Sequence, residues 1–198
     1  ERMSKSDAYF FDRNEASIDY FRSLGISQVG RLDCFRDDAP QVNFDAVVMD
    51  PPWYEKHYQA FMWMASQVVR LDGVVVLALP PLGTRPSVDL ERSRVVDWGQ
   101  RLGLELVQLT ENCLPYETPH FEINALRKSG IRCNLGAWRR GTLAIFRMHS
   151  PRRVSRPVNA RNDDWDEVAL LGTRFRFRRK REFGLVAPSL ERIVNGDV

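Results

Sequence analysis

Asp50-Pro51-Pro52-Trp53 is the stretch of this sequence whose residue types could carry chemistry. A carboxylate and a prolyl carbonyl both accept N–H bonds, so Asp50 and Pro51 together can hold an amine by its hydrogens and aim its lone pair at an electrophile. Two consecutive prolines restrict φ and remove backbone N–H groups, which leaves a stiff loop that presents carbonyls. Trp53 adds a flat face on which a base can stack. In such a site positioning and electrostatics do most of the catalysis. At average proline usage an Asp-Pro-Pro-aromatic run arises by chance in well under about one chain in a hundred of this length.

A loop of this kind works only if something rigid holds it. Ala46-Val47-Val48-Met49 reads as a buried strand that ends at Asp50 and as a central strand of its sheet. Ala8 to Phe11 before Asp12, Val74 to Leu79, Leu104 to Leu109 and Thr142 to Met148 have the same length and character. Helical spacing lies between them, at Ile18, Phe21 and Leu24, at Tyr58, Phe61, Met62, Ala65, Val68 and Val69, and at Val88, Val95, Trp98 and Leu102. Strands alternating with helices predict an α/β fold with a mainly parallel sheet covered on both faces, whose ligands bind at the carboxyl ends of the strands.

The D-P-P-W run resembles the signature of amino-methyltransferases that use S-adenosylmethionine, and among them the adenine-N6 family typified by MT-A70. That resemblance covers residues 8 to about 148. It implies a Rossmann-like class I methyltransferase sandwich with an antiparallel last strand, S-adenosylmethionine as cofactor, and adenine in DNA or RNA as substrate. In this frame Asp50, Pro51, Pro52 and Trp53 are catalytic, with Asp50 and Pro51 orienting an amine made poorly nucleophilic by conjugation to its ring. Asp12 falls where a ribose-binding acid follows the second strand, and Asp33-Cys34 where the family contacts the cofactor adenine. The sequence departs from the pattern in one respect: eleven residues precede Asp12, none of them glycine, and Gly172, Gly184 and Gly196 form no G-x-G. The first strand and its glycine loop are therefore either replaced or lie ahead of Glu1.

Substrate contacts are expected from Tyr54, Lys56 and His57 just past the signature, with exposed helix-start polars as the competing explanation for the last two. His120, in the segment Tyr116 to Glu122, is expected at the same end of the sheet and could cover the target base. Arg174, Arg176 and Arg178 alternate with Phe175 and Phe177 at period two, as a strand with one basic face would.

Charge separates the chain at about residue 150. Residues 1–150 carry 18 Lys/Arg against 19 Asp/Glu, and residues 151–198 carry 11 against 7, so the whole net charge of +3 comes from the last quarter. A methyltransferase-like core over 1–150 and a basic extension over 151–198, packed on the same domain and facing nucleic acid, are expected. The longest apolar run, Val74 to Leu82, is too short to span a membrane. Cys34, Cys113 and Cys133 form neither a disulfide set nor a metal pair, which fits a reduced cytoplasm and no metal site. Two other functions suit the same residues: methylation of a protein amine or amide, and a cofactor-free scaffold subunit that partners an active homologue.

Overall fold

The computed structural model of the protein describes residues 8–118, 120–131, 139–158, 165–170 and 173–178; for 120–122, 165–170 and 173–178 it describes the backbone alone. Strands and helices alternate as expected. β1 (Phe10–Asp12) leads through α1 (Glu15–Ser23) to β2 (Val29–Arg31), which pairs with β1 in parallel. β3 (Phe44–Met49), α2 (Glu55–Val68), β4 (Val69–Leu79), α3 (Val88–Leu102), β5 (Leu104–Tyr116), α4 (His120–Lys128) and β6 (Arg139–Met148) follow. Four of them form a sheet ordered β3-β4-β6-β5, in which β3 and β4 are parallel and β6 runs antiparallel to both neighbours. The expected Rossmann-like α/β arrangement with an antiparallel last strand is thus present.

The sheet differs from expectation at one place. β3 is hydrogen-bonded to β4 alone among the described strands, so it is an edge strand and not a central one. The β1–β2 pair lies beside it without backbone pairing; Tyr9 meets the Phe44 ring edge-on at 5.4 Å, and Phe11 meets it at 6.4 Å. Among the described residues, β3 is also covered on one face only. Residues alternate between faces along a strand. Met49 is buried while Val48, on the opposite face, is 78% exposed.

The covered face is built by α2 and α3. Tyr58, Met62 and Ala65 of α2 and Val95, Trp98 and Leu102 of α3 pack on Val75, Leu77, Leu104, Ala144 and Phe146 of the sheet. Gly99 lets the layers approach closely, since a Cβ there would sit 2.8 Å from Met62 Cε and 3.1 Å from the Phe146 ring. Trp98 ties the helices together by donating from Nε1 to the carbonyl of Gln59 at 3.0 Å. The aromatic run after the signature is mostly core, as expected: Tyr58 is buried and Phe61 and Trp63 are packed against it, whereas Tyr54 is exposed.

Residues 151–158 have no regular structure, yet they are tied to the core. Val154 packs on the main apolar cluster and its carbonyl accepts from Trp63 Nε1 at 2.8 Å. Arg156 lies 4.5 Å over the Trp63 ring and donates to the carbonyl of Asp37 at 2.5 Å. Arg156→Ala should cost about 1 kcal/mol from the lost cation–π contact and hydrogen bond, a fall of about 2–4 °C in melting temperature for a chain of this size. Limited proteolysis should then cut faster within 151–158. An unaltered cleavage rate would mean that Val154 alone holds the segment. Beyond it, β7 (Trp165–Leu170) and β8 (Thr173–Arg178) form an antiparallel pair, so the period-two stretch is a strand.

Candidate active site

The carboxyl ends of β3, β4 and β5 and the amino end of antiparallel β6 lie at one end of the sheet, and the signature sits there. Asp50 directly follows Met49, the last residue of β3. It is exposed at its edge, yet the surrounding protein desolvates the carboxyl enough to raise its pKa, an effect opposed by a hydrogen bond from Tyr116. That bond, from Tyr116 Oη to Asp50 Oδ1, is 2.9 Å long. Tyr116 is the last residue of β5 and stands edge-on to Trp53, with ring centroids 5.1 Å apart and planes at 89°. Glycine is required beneath this ring. A Cβ at Gly141 would lie 2.7 Å from Tyr116 Cε2.

The loop itself is pinned. Its turn closes with the Tyr54 N–H donating to the carbonyl of Pro52 at 2.7 Å, and Arg85 Nη2 donates to the carbonyl of Trp53 at 2.7 Å. Arg85 is in turn held by Glu91, whose carboxylate is kept below the usual range chiefly by that guanidinium, and Ser87 Oγ donates to Glu91 at 2.6 Å. Arg139 of β6 lies 5.8 Å over the Trp53 ring, so a guanidinium lies over the aromatic surface expected to stack with a base. Among the described residues no hydrogen bond reaches Asp50 Oδ2 or the carbonyl of Pro51. Among the described residues Tyr58 Oη, Arg92 Nη1 and, at the start of α2, His57 Nδ1 are also buried without a hydrogen-bond partner, although Arg92 Nη2 donates to Glu111 at 2.6 Å. Burial, then the charge of Asp50, raises the pKa of Tyr58 and keeps it a phenol.

The acids expected to hold the cofactor each have local duties. Asp12 ends β1, and its Oδ1 accepts from the Asn14 N–H at 2.8 Å, which helps Asn14 cap α1. Asp33 Oδ1 accepts from the Phe35 N–H at 2.9 Å, while its Oδ2 stands 3.8 Å from Arg36. Cys34 is buried against Ala60 and Met64 of α2, and burial pushes its thiol up to about 12, so it serves as an apolar side chain. His57 stacks edge-on to Phe35 at 5.2 Å and beside Tyr54 at 5.6 Å, and burial lowers its pKa, with the nearby Arg13 adding to the effect. It thereby links the 33–37 loop to the start of α2. Lys56 is exposed.

The structure thus brings Asp50, Pro51 and Trp53 into one constellation, and His57 with Asp33 and Cys34 into a neighbouring one. His120 opens α4, and Arg174, Arg176 and Arg178 lie in β8 with Arg176 in register with Glu167; their side chains are outside the described set. Tyr116, Arg85 and Gly141 are site residues that linear sequence does not single out. No linear signal marks Tyr116, because the strand that ends on it is readable from sequence only as far as Leu109. Among the described residues no group of acids, histidines and cysteines could hold a metal ion, and no helix is long and apolar enough to cross a membrane.

No protein-family model matches the chain, and no curated protein sequence matches it. Solved structures of similar shape include an S-adenosylmethionine-dependent methyltransferase of Methanosarcina mazei, at 12% identity over 70% of this chain and 80% of that one, with a TM-score of 0.46. A TehB-like S-adenosylmethionine-dependent methyltransferase of Corynebacterium glutamicum aligns over 69% and 65% at 16% identity, TM-score 0.43. A third is the T. thermophilus 16S rRNA N2 G1207 methyltransferase, solved with AdoMet and guanosine; it aligns over 84% of this chain but 35% of its own, at 16% identity and a TM-score of 0.44.

Proposed function

We propose that this protein is an S-adenosylmethionine-dependent methyltransferase acting on the N6 amine of adenine in nucleic acid. The observation that carries the proposal is the pair of acceptors, Asp50 Oδ2 and the Pro51 carbonyl, which no hydrogen bond among the described residues uses, at the strand end beside an aromatic corner of Trp53 and Tyr116. A primary amine has two N–H donors, and two acceptors on a stiff loop hold both while leaving the nitrogen lone pair unblocked. The desolvated Asp50 carboxylate, with its raised proton affinity, suits uptake of the proton that the methylated nitrogen must release. S-adenosylmethionine, when bound, supplies the electrophilic methyl group. Asp12 and Asp33 fit its hydroxyl and amine donors, because each keeps one carboxylate oxygen that no hydrogen bond among the described residues uses.

Calorimetry with the cofactor, followed by transfer of labelled methyl to DNA, RNA and polypeptide, tests this reading. Binding with transfer to an adenine-containing oligonucleotide is expected. Transfer to polypeptide alone would replace the substrate class, and no cofactor binding at millimolar concentration would remove the enzyme.

The arginines of β8 supply a separate measurement. A two-residue repeat spaces their positions about 7 Å apart, and three phosphate contacts contribute about −2 to −3 to the slope of log affinity against log salt. The triple change Arg174→Gln, Arg176→Gln, Arg178→Gln should flatten that slope and leave cofactor binding intact. An unchanged slope would assign the oligonucleotide contact to the Asp50 loop alone.

A further inference from the structure

We infer that Tyr116 is a positioning residue for Asp50, its hydroxyl holding Oδ1 so that Oδ2 faces the substrate. The inference rests on the reading of Asp50 as the amine-holding acid and explains how its carboxylate is aimed. A carboxylate on a strand end rotates about χ2 unless one oxygen is fixed. Tyr116 fixes Oδ1 at 2.9 Å across 66 residues of sequence, and so leaves Oδ2 as the oxygen turned to a substrate. The tyrosine is itself immobilised, by the perpendicular Trp53 ring on one side and by Gly141, whose missing side chain makes its seat.

The other charged and titratable groups around the site stay constant in the test. They are Tyr58 on α2, Arg85 held by Glu91 ahead of α3, Arg92 held by Glu111, and Arg139 over Trp53. Because the Tyr116 bond favours the charged form of Asp50, its removal must let the carboxyl protonate more readily. Carbon-13 NMR of aspartate carboxyls in the intact protein, with Asp50 assigned from the signal lost in Asp50→Asn, reads this directly. Tyr116→Phe retains the ring on its seat and should shift the Asp50 titration upward by about one pH unit. The acid limb of turnover should move up with it, while the KM for cofactor stays constant.

An Asp50 titration that stays in place in Tyr116→Phe overturns the inference. The titration needs no methyl transfer. A shifted titration in a protein that transfers no methyl group would retain the positioning role of Tyr116 and reject the methyltransferase reading; an active enzyme with an unmoved titration would do the reverse.

Discussion

Asp50→Asn is expected to lower methyl transfer about 10²- to 10³-fold, the loss seen when one preorganised electrostatic contact to a reacting group is removed, and to leave the protein at least as stable as the wild type. Asparagine keeps a carbonyl oxygen for Tyr116 but replaces the second acceptor oxygen by a donor, which repels an incoming N–H. The stability half of the prediction follows from the sign of the pKa shift. Burial raises the folded-state pKa of Asp50, so the folded protein binds the proton more tightly than the unfolded chain does. Ionised Asp50 therefore opposes folding: the penalty is absent below the ordinary carboxylate range and complete once pH has risen past the raised folded value. Melting curves across about pH 4 to 8 should show asparagine gaining on aspartate as pH rises. Turnover should move the other way in the wild type, falling as pH drops through that raised pKa. Asp45→Asn is the control, since Asp45 precedes it on the same strand, is 84% exposed and pairs with Arg70 at 2.5 Å. A wild type more stable than Asp50→Asn at neutral pH would show that the carboxylate is held by attraction and that desolvation is not the dominant influence.

The carboxylate could be found in the sequence because the strand in front of it is short, apolar and closed by two prolines. α2 and α3 were equally legible, since a 3.6-residue rhythm survives wherever one helix face packs on a sheet. β5 was legible only to Leu109. Its continuation to Tyr116 passes through a register shift between Thr110 and Leu114, an Asn112 at φ 53° and a proline, all of which break the pattern of a strand read from local sequence. Proline is tolerated there because β5 is an edge strand, a fact of topology and not of sequence. β2 was overlooked for a simpler reason. It is three residues long with glycine at its centre. The Tyr116–Asp50 bond joins two strands that are not neighbours in the sheet, so no spacing rule could have announced it. Conversely, Cys34 next to an acid resembled a ligand contact, whereas its burial against Ala60 and Met64 is enough to account for it.

The largest loss of stability is expected at Gly103, where α3 turns into β5. Its φ is +87°, a left-handed conformation that costs an L-residue about 1–2 kcal/mol. Conformation is only part of the constraint. A Cβ at this position would lie 1.8 Å from the carbonyl oxygen of Ser150 and 2.7 Å from its carbon, so backbone would have to move. That backbone is fastened from the other side, because the N–H groups of His149 and Ser150 donate to the Gly103 carbonyl at 3.0 and 3.3 Å. Alanine must therefore break the junction between the end of β6 and the turn after α3, and Gly103→Ala should cost on the order of 3–5 kcal/mol. Gly25→Ala separates the two contributions. Gly25 has a nearly equal φ of +78° and no atom within 4 Å of its would-be Cβ, so its cost should stay near the conformational 1–2 kcal/mol. Urea titrations of both variants should differ in midpoint by the steric contribution alone. The consequence reaches the surface segment as well: displacing Ser150 pulls on residues 151–158, which are anchored by the Trp63 bond to Val154, so proteolysis there should accelerate in Gly103→Ala and not in Gly25→Ala. Equal midpoints would mean that the Ser150 turn yields freely, and that the close approach at Gly103 constrains neither β6 nor the segment that follows it.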